Sequence, residues 1–276
     1  MESSLASLAM LFAVLGIAVT VVGLVVLILW ADAYVKRKQA ERIAGLAEVA
    51  RRRGFQFLGR PLSDARPGNF WEQLIGLGGA SQTESFLARF SGFQPFGQGH
   101  SPFVGNLMAK RVNGEDWLAF DYQFTITIST GKSTTTVTYP NSVVAVVLPM
   151  HLPNLVLVRE SFIGKLSEVL GARELKLEFD DFNRRYRVLT PEPEAAYGIL
   201  HPEMVEHLMS IPVRTWQLKG RTLLVYEPRY LAPEEYDALI GEVEAFAGRI
   251  PEYMRDDRSL PPMSGDLVPP DAGRSN

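Results

Sequence analysis

The strongest pattern in the sequence is an uninterrupted apolar run near its beginning. The 26 residues from Leu5 to Trp30 contain no charged side chain. A helix needs about 20 apolar residues to cross the roughly 30 Å hydrocarbon core of a bilayer. The run therefore predicts a single transmembrane anchor over residues 1–31, with Trp30 and Tyr34 as interfacial aromatic residues.

A cleavable signal peptide is the competing interpretation of this run, with Ala31, Asp32 and Ala33 as its cleavage site. The run is about twice as long as the apolar region of a typical signal peptide. No Lys or Arg precedes it, and Trp30 lies directly before the supposed site. These features favour an anchor that stays on the protein.

The charges around the apolar run are distributed unevenly. Only Glu2 precedes it, whereas residues 32–53 predict a basic helix. Because Lys and Arg collect on the cytoplasmic side of membranes, we expect the N-terminus outside and the remainder of the chain in the cytoplasm of a cell membrane. The same side chains could contact anionic lipid headgroups or could serve only the topology. These basic side chains are Lys36, Arg37, Lys38 and Arg42.

Beyond residue 53 the pattern changes to short runs rich in Val, Ile, Thr, Phe and Tyr, which predict β-strands. Asn113-Gly114 is a strong signal for a hairpin, and Lys219-Gly220 predicts a second one. The hairpins predict a mainly antiparallel sheet. Its predicted strands are residues 54–59, 107–112, 117–128, 133–139, 142–149, 155–158, 174–179, 186–189, 215–218 and 221–226.

Helical spacing of apolar residues returns near the end of the chain. Residues 192–210 show it, with Pro202 predicted to divide the helix, and residues 233–246 predict a second amphipathic helix. Residues 251–276 are polar and rich in proline, which predicts a disordered tail. The elements between the basic helix and this tail predict a cytoplasmic α+β domain over residues 54–250, with helices packed on the antiparallel sheet.

The composition of the chain limits the kinds of ligand and catalytic site that it can form. A net charge of −3 argues against nucleic-acid binding by bulk electrostatics. The chain has no cysteine, which excludes disulfides and thiolate chemistry. His201 and His207 are six residues apart, whereas a zinc-binding helix of metalloproteases places two histidines four apart. No metal, cofactor or catalytic motif is predicted.

Three functions remain open. The first is a membrane-anchored cytoplasmic binding or interaction module, whose partners are the lipid bilayer and a protein or lipid. The second is an accessory subunit of a larger membrane protein complex, in which Gly16 and Gly23 let neighbouring helices approach closely. The third is a membrane-tethered enzyme with an unconventional site, and this is the least favoured. Its candidate residues are Asp180, Asp181, Arg184, His201 and His207.

The segment from Leu175 to Leu208 resembles a group of bacterial membrane-anchored proteins of unknown function, the DUF3137 type and related actinobacterial proteins. Two motifs carry the resemblance. The first comprises Glu178, Phe182, Asn183, Arg184, Tyr186 and Val188, and the second comprises Ala196, Ile199, Leu200, Pro202, Met204, Val205 and Leu208. The resemblance implies an anchor followed by a cytoplasmic domain, and it implies no activity.

Overall fold

The computed structural model describes residues 2–59, 61–64, 82–131, 133–159 and 173–255. The tail predicted for residues 251–276 is described only as far as residue 255, where it contains the short helix Glu252–Arg255, and its remainder lies outside these ranges. The chain divides into two compact units, Met1–Gly45 and Leu46–Asn276. The helix α1, Glu2–Arg52, supplies all of the described first unit and the start of the second.

The predicted transmembrane helix is wrong. Within the part of the chain that the structure describes, no helix is long and apolar enough to cross a bilayer. The predicted orientation presupposed a crossing and is withdrawn with it.

The second unit is built on one antiparallel sheet of seven described strands, as the alternating pattern predicts. The order is β1-β2-β3-β4-β6-β5, and β7 also pairs with β4. The α+β class with a mainly antiparallel sheet is therefore confirmed. The strands are β1 Gln56–Leu58, β2 His100–Val112, β3 Glu115–Ser129, β4 Thr134–Arg159, β5 Arg173–Leu175, β6 Tyr186–Thr190 and β7 Thr215–Glu227.

The helices of the second unit lie between and after the strands. Pro202 separates two of them, as predicted, because its ring cannot continue a preceding helix. The second unit begins with the end of α1. Its other described helices are α2 Gln82–Ala88, α3 Asp180–Arg185, α4 Pro193–Ile199, α5 Pro202–Ser210, α6 Pro233–Gly248 and α7 Glu252–Arg255. A 3₁₀ turn spans Leu62–Asp64.

The Asn113-Gly114 hairpin between β2 and β3 is confirmed. Both residues have positive φ, 52° and 78°, which is the backbone that a two-residue turn of this kind requires. Val112 pairs with Glu115 immediately beside the turn. The turn thus sets the register in which β2 and β3 continue into the sheet.

The second predicted hairpin, at Lys219-Gly220, is wrong. β7 runs through it without turning and pairs with β4 from Leu157 back to Ser142. Gly220 has a φ of 61° and lies opposite Leu152, within an irregular stretch of the pairing. The glycine therefore accommodates a β-bulge rather than a reversal of the chain.

Each face of the sheet is covered by its own hydrophobic core. The first core packs α4, α5 and α6 against the sheet, and it includes Leu46, Val49 and Ala50 from α1. The second core lies on the opposite set of strand residues and is rich in phenylalanine, including Phe86 of α2 and Phe120 of β3. The loop after α2 closes this second core.

Candidate functional site

The described part of the first unit exposes a long apolar surface on α1. We call Val21–Trp30 the apolar segment. Its large side chains are between 48% and 67% exposed, on successive turns and on every side of the helix. Trp30 stacks on Tyr34 with ring centroids 5.7 Å apart, directly at the end of the segment. Exposed apolar surface of this extent marks a site of contact with another apolar phase.

The four predicted headgroup contacts follow the apolar segment on the same helix, and we call Lys36–Arg42 the basic segment. Lys36 Nζ lies 2.7 Å from Asp32 Oδ2, and Arg37 Nε lies 2.9 Å from Glu41 Oε1. Lys38 Nζ lies 3.3 Å from Glu41 Oε2. Hydrogen bonds from Arg37 and then Lys38 lower the pKa of Glu41.

These ion pairs leave the cations open to exchange. The side chains of Lys36, Arg37 and Lys38 are 61–80% exposed, so water screens their attraction to the carboxylates. An anionic headgroup at the same position could replace a carboxylate as the partner. Contact of Lys36, Arg37, Lys38 and Arg42 with lipid remains a prediction.

The five residues considered for catalysis each have local surroundings of their own. Asp181 accepts a hydrogen bond from Arg184 Nη1 at 3.0 Å on the exposed face of α3. His201 Nε2 lies 2.9 Å from the carbonyl oxygen of Arg249. Nε2 of His207 is buried without a hydrogen-bond partner among the described residues.

None of these five residues lines any of the three cavities that we describe in the second unit. A catalytic site would require several of these residues to face one cleft. This arrangement is not observed at these cavities.

The first cavity of the second unit is an open groove of about 330 Å³ between α2 and the loop that follows it. Ala88 and Leu87 form one side, and Phe96, Pro102 and Tyr122 contribute apolar surface. The loop bends sharply, because three of its glycines have positive φ. These glycines are Gly92, Gly97 and Gly99.

Tyr122 is the most deeply buried aromatic residue of the groove, and it is 1% exposed. Its ring contacts Phe96 and Phe124, with centroid separations of 4.7 Å and 5.9 Å. Burial raises the pKa of Tyr122 to about 12, so the phenol stays protonated at neutral pH. Its hydroxyl makes no hydrogen bond to a described residue and, unlike the hydroxyl of Tyr186, is not buried away from solvent.

Two smaller cavities lie elsewhere in the second unit. One, of about 180 Å³, shares Gly92 with the groove and is lined by Asn154, Gln217 and Lys219. Both polar atoms of the Gln217 side chain already bond to the backbone of Gln94, at 2.8 Å and 2.7 Å. The other, of about 130 Å³, lies beside Arg214. The guanidinium of Arg214 is already paired with carboxylates, so we assign no ligand to this cavity.

Sequence reasoning missed the groove, although a signal for it was present. The loop of residues 92–105 combines glycine with phenylalanine, and such side chains require a place to pack. Phe93 and Phe96 do pack into the second core. The spacing of residues does not reveal that a groove separates α2 from this loop.

No protein-family model matches the chain, and no curated protein matches it in sequence. Among solved structures, the chain is similar to the crystal structure of the mycobacterial trehalose monomycolate transport factor A, TtfA, with a TM-score of 0.46 and 15% identity. The superposition covers 82% of this chain and 98% of that one. At this TM-score and identity the similarity establishes neither a shared fold nor a shared function. The resemblance to the DUF3137 type remains a prediction.

Proposed function

We propose that the protein is a membrane-associated binding module whose apolar segment embeds in a lipid bilayer. The observation that carries this proposal is the exposure of Val21–Trp30 on every side of α1. A helix that is apolar all round is stable when it is surrounded by protein core or by lipid. None of these side chains belongs to the described hydrophobic cores.

Two further features favour lipid over a protein groove as the surroundings of the apolar segment. The Trp30–Tyr34 pair ends the segment, and tryptophan and tyrosine are enriched where hydrocarbon meets headgroups. The basic segment then begins within two residues of Tyr34. Each cation near an anionic membrane surface adds about 1 kcal/mol of attraction.

Flotation of the full-length protein with vesicles tests the proposal. We expect the protein to float with vesicles of phosphatidylcholine alone and to a greater extent with added phosphatidylglycerol. The triple variant Leu24→Asp, Leu27→Asp, Ile28→Asp should lose at least tenfold in binding to both, because burying three carboxylates in hydrocarbon is strongly unfavourable. The matched control Leu24→Ile, Leu27→Ile, Ile28→Leu should float like the parent.

The basic segment is tested in the same assay. Replacing its four cations by alanine should abolish the preference for phosphatidylglycerol while leaving binding to phosphatidylcholine intact. If the aspartate triple variant floats as well as the parent, the apolar segment is not the contact and the proposal fails.

The other two functions have no comparable support. An accessory subunit remains a prediction that rests on Gly16 and Gly23, beside which the described structure leaves open space. Stoichiometric purification of the protein with a membrane-protein partner, lost in the aspartate triple variant, would favour that function over direct lipid binding. The enzymatic interpretation requires its candidate residues to face one cleft, and this is not observed at the three cavities described above.

A further inference from the structure

The groove beside α2 has the size and lining of a small-molecule site. Ligand pockets commonly enclose about 300–1,000 Å³ and combine mostly apolar walls with a few polar groups. The groove encloses about 330 Å³. Leu87, Phe96 and Pro102 contribute apolar walls, while Ser91 and Gln98 contribute polar atoms.

The hydroxyl of Tyr122 is the feature that points to a ligand. The hydroxyl at the end of a buried tyrosine ring normally finds a hydrogen-bond partner in the protein, in water or in a ligand. The Tyr122 ring is almost completely buried and lines the groove. Its hydroxyl makes no hydrogen bond to a described residue and is not among the buried polar atoms that lack a partner, so it is open to solvent. The hydroxyls of Tyr230 and Tyr236, by contrast, donate to Gln123 and to the carbonyl of Phe120. A molecule in the groove could accept the hydrogen bond that the protein leaves unmade.

The charge of the lining limits the class of ligand. Glu84 is the only charged residue among the described residues that line the groove. Its carboxylate disfavours an anionic ligand at the groove. Lys219 lies against Gly92 but lines the neighbouring cavity instead.

We propose that this groove binds a neutral small molecule with an apolar ring system and a carbonyl or ether oxygen that accepts a hydrogen bond from Tyr122. The ring system lies against Phe96 and Leu87, and the oxygen reaches the phenol at the base of the groove. Every lining residue belongs to the second unit, so this site is independent of the proposed membrane association.

The probe that we would use is 6-propionyl-2-(dimethylamino)naphthalene, a neutral naphthyl ketone whose emission shifts to shorter wavelength when it leaves water. We expect saturable binding to the full-length protein in the absence of lipid. Tyr122→Phe should weaken that binding about fivefold, the typical effect of one hydrogen bond. Tyr139→Phe, on the same sheet but outside the groove, is the matched control and should bind like the parent.

A second variant makes the test independent of Tyr122. Ala88 is exposed at the groove, so Ala88→Trp should fill the groove and abolish saturable binding without disturbing either core. Parent-like affinity in Ala88→Trp would show that the probe binds elsewhere, for example on the apolar segment, and would overturn the proposal. Equal affinities of the Tyr122→Phe and Tyr139→Phe proteins would overturn the assigned hydrogen bond. Tighter binding of the corresponding naphthoate anion would overturn the neutral class.

Discussion

At the scale of single residues, the carboxylate of Asp121 joins three parts of the second unit. It accepts a hydrogen bond from Asn106 Nδ2 at 2.7 Å and from Ser142 Oγ at 3.2 Å. Ser142 Oγ in turn accepts from the backbone N–H of Leu231 at 2.9 Å. Asp121 is 1% exposed, so these donors, rather than water, satisfy its carboxyl oxygens. The network therefore ties β2, β3 and β4 to the segment that leads into α6.

His207 is the residue whose environment predicts a pH dependence. Burial, followed by the nearby charge of Arg249, lowers the pKa of His207 below 6.5, while Glu242 opposes the shift. The unfolded chain then binds a proton that the fold disfavours. The contribution of His207 to stability is complete above its unfolded pKa of 6.5 and is lost as the pH falls below it.

We therefore expect the unfolding temperature of the protein to fall between about pH 7 and pH 5, and the fall to be smaller in His207→Gln. Thermal unfolding followed by circular dichroism across that range measures both. His151→Gln, at an exposed position, should retain the parent's pH dependence. Identical slopes for the parent and His207→Gln would show that His207 does not titrate as its burial implies.

At the scale of elements, the single long strand β4 holds the sheet together. Three separate strands are predicted between residues 133 and 158, because prolines interrupt the pattern, yet the structure joins them into Thr134–Arg159. Pro140 lies where β4 pairs with β3 but not yet with β7. Pro149 and Pro153 lie in the irregular stretch of pairing with β7. Proline is tolerated at just such edges and bulges, since its missing N–H leaves no bond broken.

Arg214 links two consecutive elements, β7 and α6. Its Nη1 donates to Glu227 at the end of β7 at 2.6 Å, and its Nη2 donates to Glu242 of α6 at 3.0 Å. The Arg214 side chain is only 10% exposed. Although burial works against its charge, the hydrogen bonds to Glu242 and Glu227 raise the pKa of Arg214.

We expect Arg214→Ala to lower the free energy of unfolding by about 3 kcal/mol, because two largely buried carboxylates would lose their counter-charge. Urea unfolding of the full-length protein measures this loss. Arg229→Ala breaks a solvent-exposed pair with Glu235 near the start of α6 and should cost less than about 1 kcal/mol. Equal costs for the two variants would contradict a structural link between β7 and α6 through Arg214.

At the scale of the whole molecule, the boundary between the two units falls inside α1. Leu46, Val49 and Ala50 are buried in the first core although they continue the helix that carries the basic segment. Arg53 Nη1 lies 2.6 Å from Glu244 Oε2 of α6, and its Nε bonds to Asp237. The last turns of α1 thus belong to the folded core of the second unit.

A pair of truncations tests this boundary. The chain 46–276 should unfold cooperatively at nearly the same temperature as the full-length protein, because it retains both cores. The chain 54–276 lacks the three buried residues and Arg53, and should be less stable by about 4 kcal/mol. Differential scanning calorimetry of both proteins gives the comparison. Equal stability of the two would place the boundary later in the chain than the buried side chains indicate.

The sequence by itself determined the features that depend on neighbouring residues. The alternation of strands, the Asn113-Gly114 turn, the division of a helix at Pro202 and the apolar face of α6 were all predicted and are observed. Each of these depends on backbone preference and side-chain periodicity over a few residues, which a single chain segment expresses wherever it lies. The α+β class follows from their order.

The tertiary structure alone decided which distant segments meet. Because β7 pairs along β4, Gly220 forms a bulge and not the predicted hairpin. Leu46 is buried in the first core because the end of α1 packs there. The groove and the unpartnered hydroxyl of Tyr122 likewise arise from the spacing between α2 and its loop. Such contacts depend on the summed packing of side chains far apart in the chain, and no local pattern encodes that sum.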